Sequence, residues 1–133
     1  MSGQNLEIFR AGFEWFRLTG TFQADLAKDD FIWDMSHYDG WPEQQVYEGA
    51  QGVEQFFAEW RSAWDGWEVE VEELREAGDK VVAIAHQRGR SKISGMLLEG
   101  SMAQVWTFRD GKEARMDMYS DPREALESVG LEE

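Results

Sequence analysis

The apolar period of this chain changes once, from helical to alternating, and the change falls at Gly66. Before it, Leu6, Phe9, Phe13 and Phe16 recur three or four residues apart and form one stripe, flanked by Glu7, Arg10, Glu14 and Arg17. Val53, Phe56, Phe57, Trp60 and Trp64 repeat that spacing over a wider face. After it, Trp67, Val69 and Val71 alternate with Glu68, Glu70 and Glu72, the pattern of a strand with one wet face. Helices followed by a string of strands define an α+β protein, its helices laid on one face of an antiparallel sheet.

Turn residues divide the rest. Gly20 closes the first helix, and Thr21 caps a short second one reaching about Ala27. Asp29-Asp30 leads into Phe31-Ile32-Trp33, a short strand, and the stretch from Ser36 to Gly49 reads as a loop. A third helix starts near Gly52. Strands follow at Val81–Arg90 and Met96–Phe108, and Asp110-Gly111 turns the chain into a last strand from Glu113 to Tyr119. Asp121-Pro122-Arg123-Glu124 opens a final helix, with Asp at the cap, Pro at the first position and Glu at the third. No linker or repeat interrupts the 133 residues, so a single domain over 1–133 is expected.

Charge and composition exclude several function classes. With 27 acidic against 13 basic residues, the net charge of −14 repels phosphate backbones and anionic lipid, so neither nucleic acid nor a membrane is an expected partner. There is no cysteine, hence no disulfide and no thiolate site. The two histidines stand apart with no ligand spacing, and no phosphate-binding glycine loop or nucleophile elbow occurs. No metal or cofactor is expected. The start of the chain lacks a basic, apolar leader and no stretch is long enough to span a bilayer, so a cytoplasmic protein is expected.

Several short segments in order then resemble the NTF2-like superfamily in its SnoaL-like branch. They are Asp29-Asp30 before the first strand, Tyr47-Glu48-Gly49 leading to Gly52-Val53, and the Phe56-Phe57…Trp60 helix. The Trp106–Lys112 hairpin and the closing Asp121-Pro122-Arg123-Glu124-Ala125-Leu126 complete the set. The resemblance implies a cone in which a curved sheet wraps the N-terminal helices around an internal cavity. It does not imply one reaction, because the superfamily holds isomerases, cyclases, hydrolases, dehydratases and plain binding modules. Ketosteroid-isomerase-like members carry a Tyr, a base Asp and a protonated Asp at positions occupied here by Phe13, which cannot donate, Met35, which cannot take a proton, and Gln104, which can donate but does not titrate. Cyclase-like members carry an inward His and Asp on the last strand. The matching stretch here is Arg115-Met116-Asp117-Met118, and alternation favours the two methionines inside. The resemblance further implies pairing of two copies across the outer sheet face.

Strand parity and size outline a pocket. Phe13, Trp33, Met35, Trp60, Met102, Trp106, Met116 and Met118 share the inward face with the small row Ala83, Ala85, Gln87, Gly89. Large residues opposite small ones leave a hollow or interdigitate as plain core. The hollow, with Tyr38 at its edge and Gln87 and Gln104 as its polar groups, suits a small apolar or aromatic molecule and opens near His37 and Trp41. Asp34 and His37 are the acid/base candidates, against the reading of a polar loop. His86, Arg88 and Arg90 share the outer face with Val82 and Ile84, a mixture that fits a homodimer contact through Ile84, His86, Arg88, Ala103, Val105 and Tyr119. Three function classes follow: a small-molecule binder, an isomerase, cyclase or hydrolase using Asp34 or His37, and a non-catalytic protein-interaction dimer.

Overall fold

The computed structural model describes residues 3–39, 41 and 45–131. Helix α1 (Gln4–Thr19) leads through a single 3-10 turn, Ala24–Leu26, into β1 (Ala27–His37) and β2 (Val46–Glu48). Helix α2 (Gly49–Ala63) precedes the meander β3 (Trp64–Ala77), β4 (Lys80–Ser91), β5 (Leu97–Arg109) and β6 (Lys112–Tyr119), and α3 (Pro122–Ser128) closes the chain. The six strands form one sheet in the order β2-β1-β6-β5-β4-β3.

The turn chemistry works as the residues dictate. Gly20 adopts φ 73° and its N–H caps the carbonyl of Phe16, which stops α1. Asp110 and Gly111, at φ 56° and 76°, form the two-residue turn that joins β5 to β6. Asp121 accepts a hydrogen bond from the Arg123 N–H, so α3 starts where its cap and proline place it.

Four expectations are corrected. The short helix from Thr21 to Ala27 is one 3-10 turn, because Ala27 already pairs with Glu113 in the sheet. The first strand runs eleven residues rather than three, and within the expected loop Val46–Glu48 pairs with Ile32–Asp34. Gly40 and residues 42–44 of that loop lie outside the described residues. The sheet is not antiparallel throughout, since β1 runs parallel to β6, with Trp33 opposite Met116 and Asp34 opposite Asp117. Pairing between strands eighty residues apart leaves no local signature in either one.

The third helix lies on the opposite face from the other two. The main core sits on the inner face, where Phe31, Met35, Tyr47, Val53, Val81 and Met116 are fully buried under α1 and α2. On the outer face, Ala125 and Leu126 of α3 cover Val82, Ala103 and Val105. The sequence places Ala103 and Val105 in a contact between copies. Their apolar surface is already covered within one chain, at roughly 25 cal/mol for each Å² removed from water.

Candidate functional site

Between α1, α2 and the inner face of β3–β6 lies a cavity of about 440 Å³. Its walls are Phe9, Phe13 and Phe16 of α1, Phe56, Phe57 and Trp60 of α2, and Trp33, Trp67, Trp106, Met102 and Met118 of the sheet. Ala83 and Ala85 on β4 supply the floor. The rings hold each other in place: Trp106 meets Phe9 at 6.0 Å and Trp33 edge-on at 6.0 Å, and Trp33 meets Phe57 edge-on at 5.5 Å. At the exposed rim stand Gly20, Thr21, Phe22, Gln23, Arg61 and Gly66. Arg61 ties the end of α2 to the end of α1 through a 2.8 Å hydrogen bond to the Gly20 carbonyl. The cavity therefore opens at the ends of the two helices. His37 and Trp41 do not line it: Trp41 is buried against Phe56 and Trp60, on another side of the inner core.

Ten of the residues named from the sequence come together here: Phe13, Trp33, Trp60, Ala83, Ala85, Gln87, Met102, Gln104, Trp106 and Met118. Four do not. Gly89, of the same small row, is outside the lining. Met35 and Met116 are fully buried in the solid base where β1 meets β6, and Tyr38 stands behind Gln87. Gln87 is spent on structure. Its carbonyl accepts from Trp67 Nε1 at 3.0 Å, and its amide donates to the Tyr38 hydroxyl at 2.9 Å. Burial pushes the Tyr38 hydroxyl pKa up, against the opposing effect of that bond. Gln104 accepts from Trp106 Nε1 at 2.9 Å and has no further side-chain partner among the described residues.

The two acid/base candidates lie elsewhere. Asp34 alternates out of phase with Trp33 and Met35, so it faces the outer side, where Arg115 bonds it and Asp117 together. Burial alone would raise the Asp34 pKa. Hydrogen bonds from Ser36 and the nearby charges of Arg115 and His37 outweigh it and hold the carboxyl below its ordinary value. His37 ends β1, exposed, its ring stacked on Tyr119 at 4.5 Å. On that same outer side His86 meets Glu99 at 3.4 Å, and Arg88 pairs across the strands with Glu68 and Glu99.

Among the described residues the cavity holds one carboxyl, and the sequence patterns do not single it out. Glu113 is 2% exposed and lines the cavity from the start of β6. Alternation from Met116 and Met118 assigns it to the outer face. A bulge reverses that: Thr107 pairs with Arg115 but Phe108 pairs with Glu113, so Ala114 is an extra residue and Glu113 turns inward. Space for its carboxyl exists because residue 12 is glycine, where a Cβ would stand 3.3 Å from Glu113 Oε2. Burial alone pushes its pKa up to about 8, with no charged neighbour contributing. Among the described residues nothing donates to it or accepts from it. The indole N–H groups of Trp33, Trp60 and Trp64, all on the cavity wall, are likewise buried without an acceptor.

A curved six-stranded sheet holding two helices against an internal cavity defines an NTF2-like α+β protein. The SnoaL-like domain model matches residues 9–116, and the chain belongs to that family. Solved structures agree on the fold. TerC, co-crystallised with polyporic acid, is 24% identical with a TM-score of 0.74, over 96% of this chain and 98% of that one. A putative SnoaL-like polyketide cyclase from Jannaschia sp. is 21% identical with a TM-score of 0.70, over 95% and 91%. A protein of ketosteroid-isomerase-like fold from Catenulispora acidiphila, in complex with trimethylamine, is 18% identical with a TM-score of 0.69, over 94% and 93%. No curated protein matches the chain. Among the described residues no helix is long and apolar enough to cross a membrane.

Proposed function

We propose that this protein binds a small apolar or aromatic molecule in the cavity between its helices and its sheet. The observation that carries the reading is the wall itself, 440 Å³ of space bounded by aromatic rings and methionines with few polar groups. Methionines at 102 and 118 adapt to irregular shapes, which favours a range of related ligands over one. Two of the neighbouring structures, TerC and the Catenulispora protein, were determined with small molecules present. Catalysis through Asp34 or His37 draws no support from their positions, so binding is the leading reading and any chemistry would fall to groups inside the cavity. The same proposal includes pairing of two copies through outer-face residues that stay at least partly exposed beside α3, Ile84, His86 and Arg88.

The test is titration of neutral naphthalene- and phenyl-based probes, followed by calorimetry, against the protein and against Ala85→Trp. Micromolar to millimolar binding that Ala85→Trp abolishes, in a variant that keeps its circular dichroism, is the expected result. Failure of every probe to bind the unaltered protein would refute the reading. Light scattering that returned one chain per particle would remove the dimer from it.

A further inference from the structure

We propose that Glu113 is the polar anchor of this cavity and works as a neutral carboxylic acid, donating its O–H to a carbonyl oxygen of the bound molecule. This rests on reading the cavity as a small-molecule site and goes further by naming the ligand's polar group.

The inference follows from what surrounds the carboxyl. In the strand register it stands beside Ala27 of β1 and Phe108 of β5, Gly12 of α1 approaches it with Leu26 of the 3-10 turn next to that glycine, and Phe9 and Phe13 share its cavity, none of them charged. Arg61, the other ionisable group of the wall, stands at the rim with a hydrogen bond to Gly20. An ionised carboxylate in such a place has lost water and gained nothing, so the neutral form prevails, as burial of the group indicates. A neutral acid brings a donor.

At the rim Gln23 offers both a donor and an acceptor, but deeper in the wall the other side chain with an unused polar atom, Gln104, has a donor to give. Gln104 has its carbonyl engaged by Trp106 while its amide hydrogens are free among the described residues; the indole N–H groups of Trp33, Trp60 and Trp64 are sealed within the wall and present nothing to the cavity. Tyr38, Gln87 and Trp67 are tied to one another, the Gln87 carbonyl engaged by Trp67 and its amide by Tyr38. A wall whose inner free polar groups are donors is complementary to a ligand rich in oxygen acceptors on an aromatic frame. A cationic amine would meet a donor at both of these inner positions. Glu113 pairs with Phe108, four residues from Gln104 along β5 or roughly 13 Å, so the two polar groups mark separate ends of the cavity. Gly12 belongs to the same device, because any side chain there would press on the carboxyl at 3.3 Å.

The experiment uses a pair of probes that differ by one atom in shape-matched positions: 1-acetylnaphthalene, with a C=O, and 1-isopropenylnaphthalene, with a C=CH2. Affinities are measured by calorimetry at pH 6 and pH 9.5 for the unaltered protein, Glu113→Gln and Glu113→Met. At pH 6 the unaltered protein should prefer the ketone about tenfold, the scale of one buried hydrogen bond. At pH 9.5 the preference should vanish, because the ionised group has no hydrogen to give. Glu113→Gln should keep a preference at both pH values through its amide N–H, and Glu113→Met should bind both probes alike. Equal binding of ketone and alkene by the unaltered protein at pH 6, or an unchanged preference in Glu113→Met, overturns the proposal while leaving the cavity reading intact. A preference for 1-naphthylmethylamine over the ketone that Glu113→Gln removes would overturn it in favour of a carboxylate. Binding of neither probe defeats the cavity reading and this inference with it.

Discussion

Two acids on β6, Glu113 and Asp117, sit four residues apart and live in opposite circumstances. Asp117 faces outward and shares the Arg115 guanidinium with Asp34, each pair joined by a charged hydrogen bond. Burial raises the Asp117 pKa, and so does the Asp34 charge, while Arg115 pulls it back. Glu113 faces inward, is buried more completely, and has no partner of either sign. The outer cluster satisfies itself and needs no ligand. The inner carboxyl is left incomplete by the fold, and incompleteness of that kind marks a site rather than a scaffold.

The largest effect expected from this contrast is on pH-dependent stability. Glu113 has a folded pKa of about 8 against an ordinary 4.5, so the folded state holds a proton that the unfolded chain releases. Its contribution is fully present below pH 4.5 and is lost as pH rises to about 8, a change on the order of 3–5 kcal/mol. Denaturation in urea should show Glu113→Gln gaining by about that amount on the unaltered protein between pH 5 and pH 9. A constant difference across that range would mean that the carboxyl is not held neutral.

The outer cluster should respond to removal of its cation instead. Arg115→Met leaves two carboxylates facing each other, one nearly buried, and should cost about 2–4 kcal/mol at pH 7, read as a lower Tm. Combining it with Asp34→Asn and Asp117→Asn should restore most of that loss. If the triple variant is no better than Arg115→Met, the guanidinium matters for its packing and the charge account fails. A smaller effect separates the two glutamines. Gln87→Leu strips partners from both Trp67 and Tyr38 and should destabilise by about 1–3 kcal/mol. Gln104→Leu strips one, from Trp106, and should cost less. Equal losses would show that the fold depends on Gln104 no less than on Gln87.

The residues that were legible in the sequence are those governed by local rules. The helical stripes as far as Trp60, Gly20, the Asp110-Gly111 turn and the Asp121-Pro122 helix start report on near neighbours and stand where those rules put them, while Trp64, read as the end of the second stripe, already begins β3. Parity along β4 and β5 correctly separates Ala83, Ala85 and Gln87 from Val82, Ile84 and His86, which is enough to outline a cavity wall. Parity fails where the ladder itself changes. A single bulge hides Glu113, and no residue type at 113 or 114 announces it. The small residue at Gly12 is a usable sign, since a glycine in mid-helix weakens the helix unless something approaches it closely. The opening of the cavity and the covering of Val105 by α3 were hidden for another reason: both depend on how elements far apart in sequence are placed against one another.

Carbon-13 NMR of the protein labelled at glutamate Cδ tests the central claim most directly. The resonance that disappears in Glu113→Gln identifies the group, and its shift is then followed from pH 4 to pH 10 without ligand. A midpoint near 8, with the protonated shift persisting through pH 7, is the result expected from an unpaired carboxyl buried in an apolar wall. A midpoint near the ordinary 4.5 would show that Glu113 is ionised at neutral pH, and the account of the cavity as a wall of donors would be wrong.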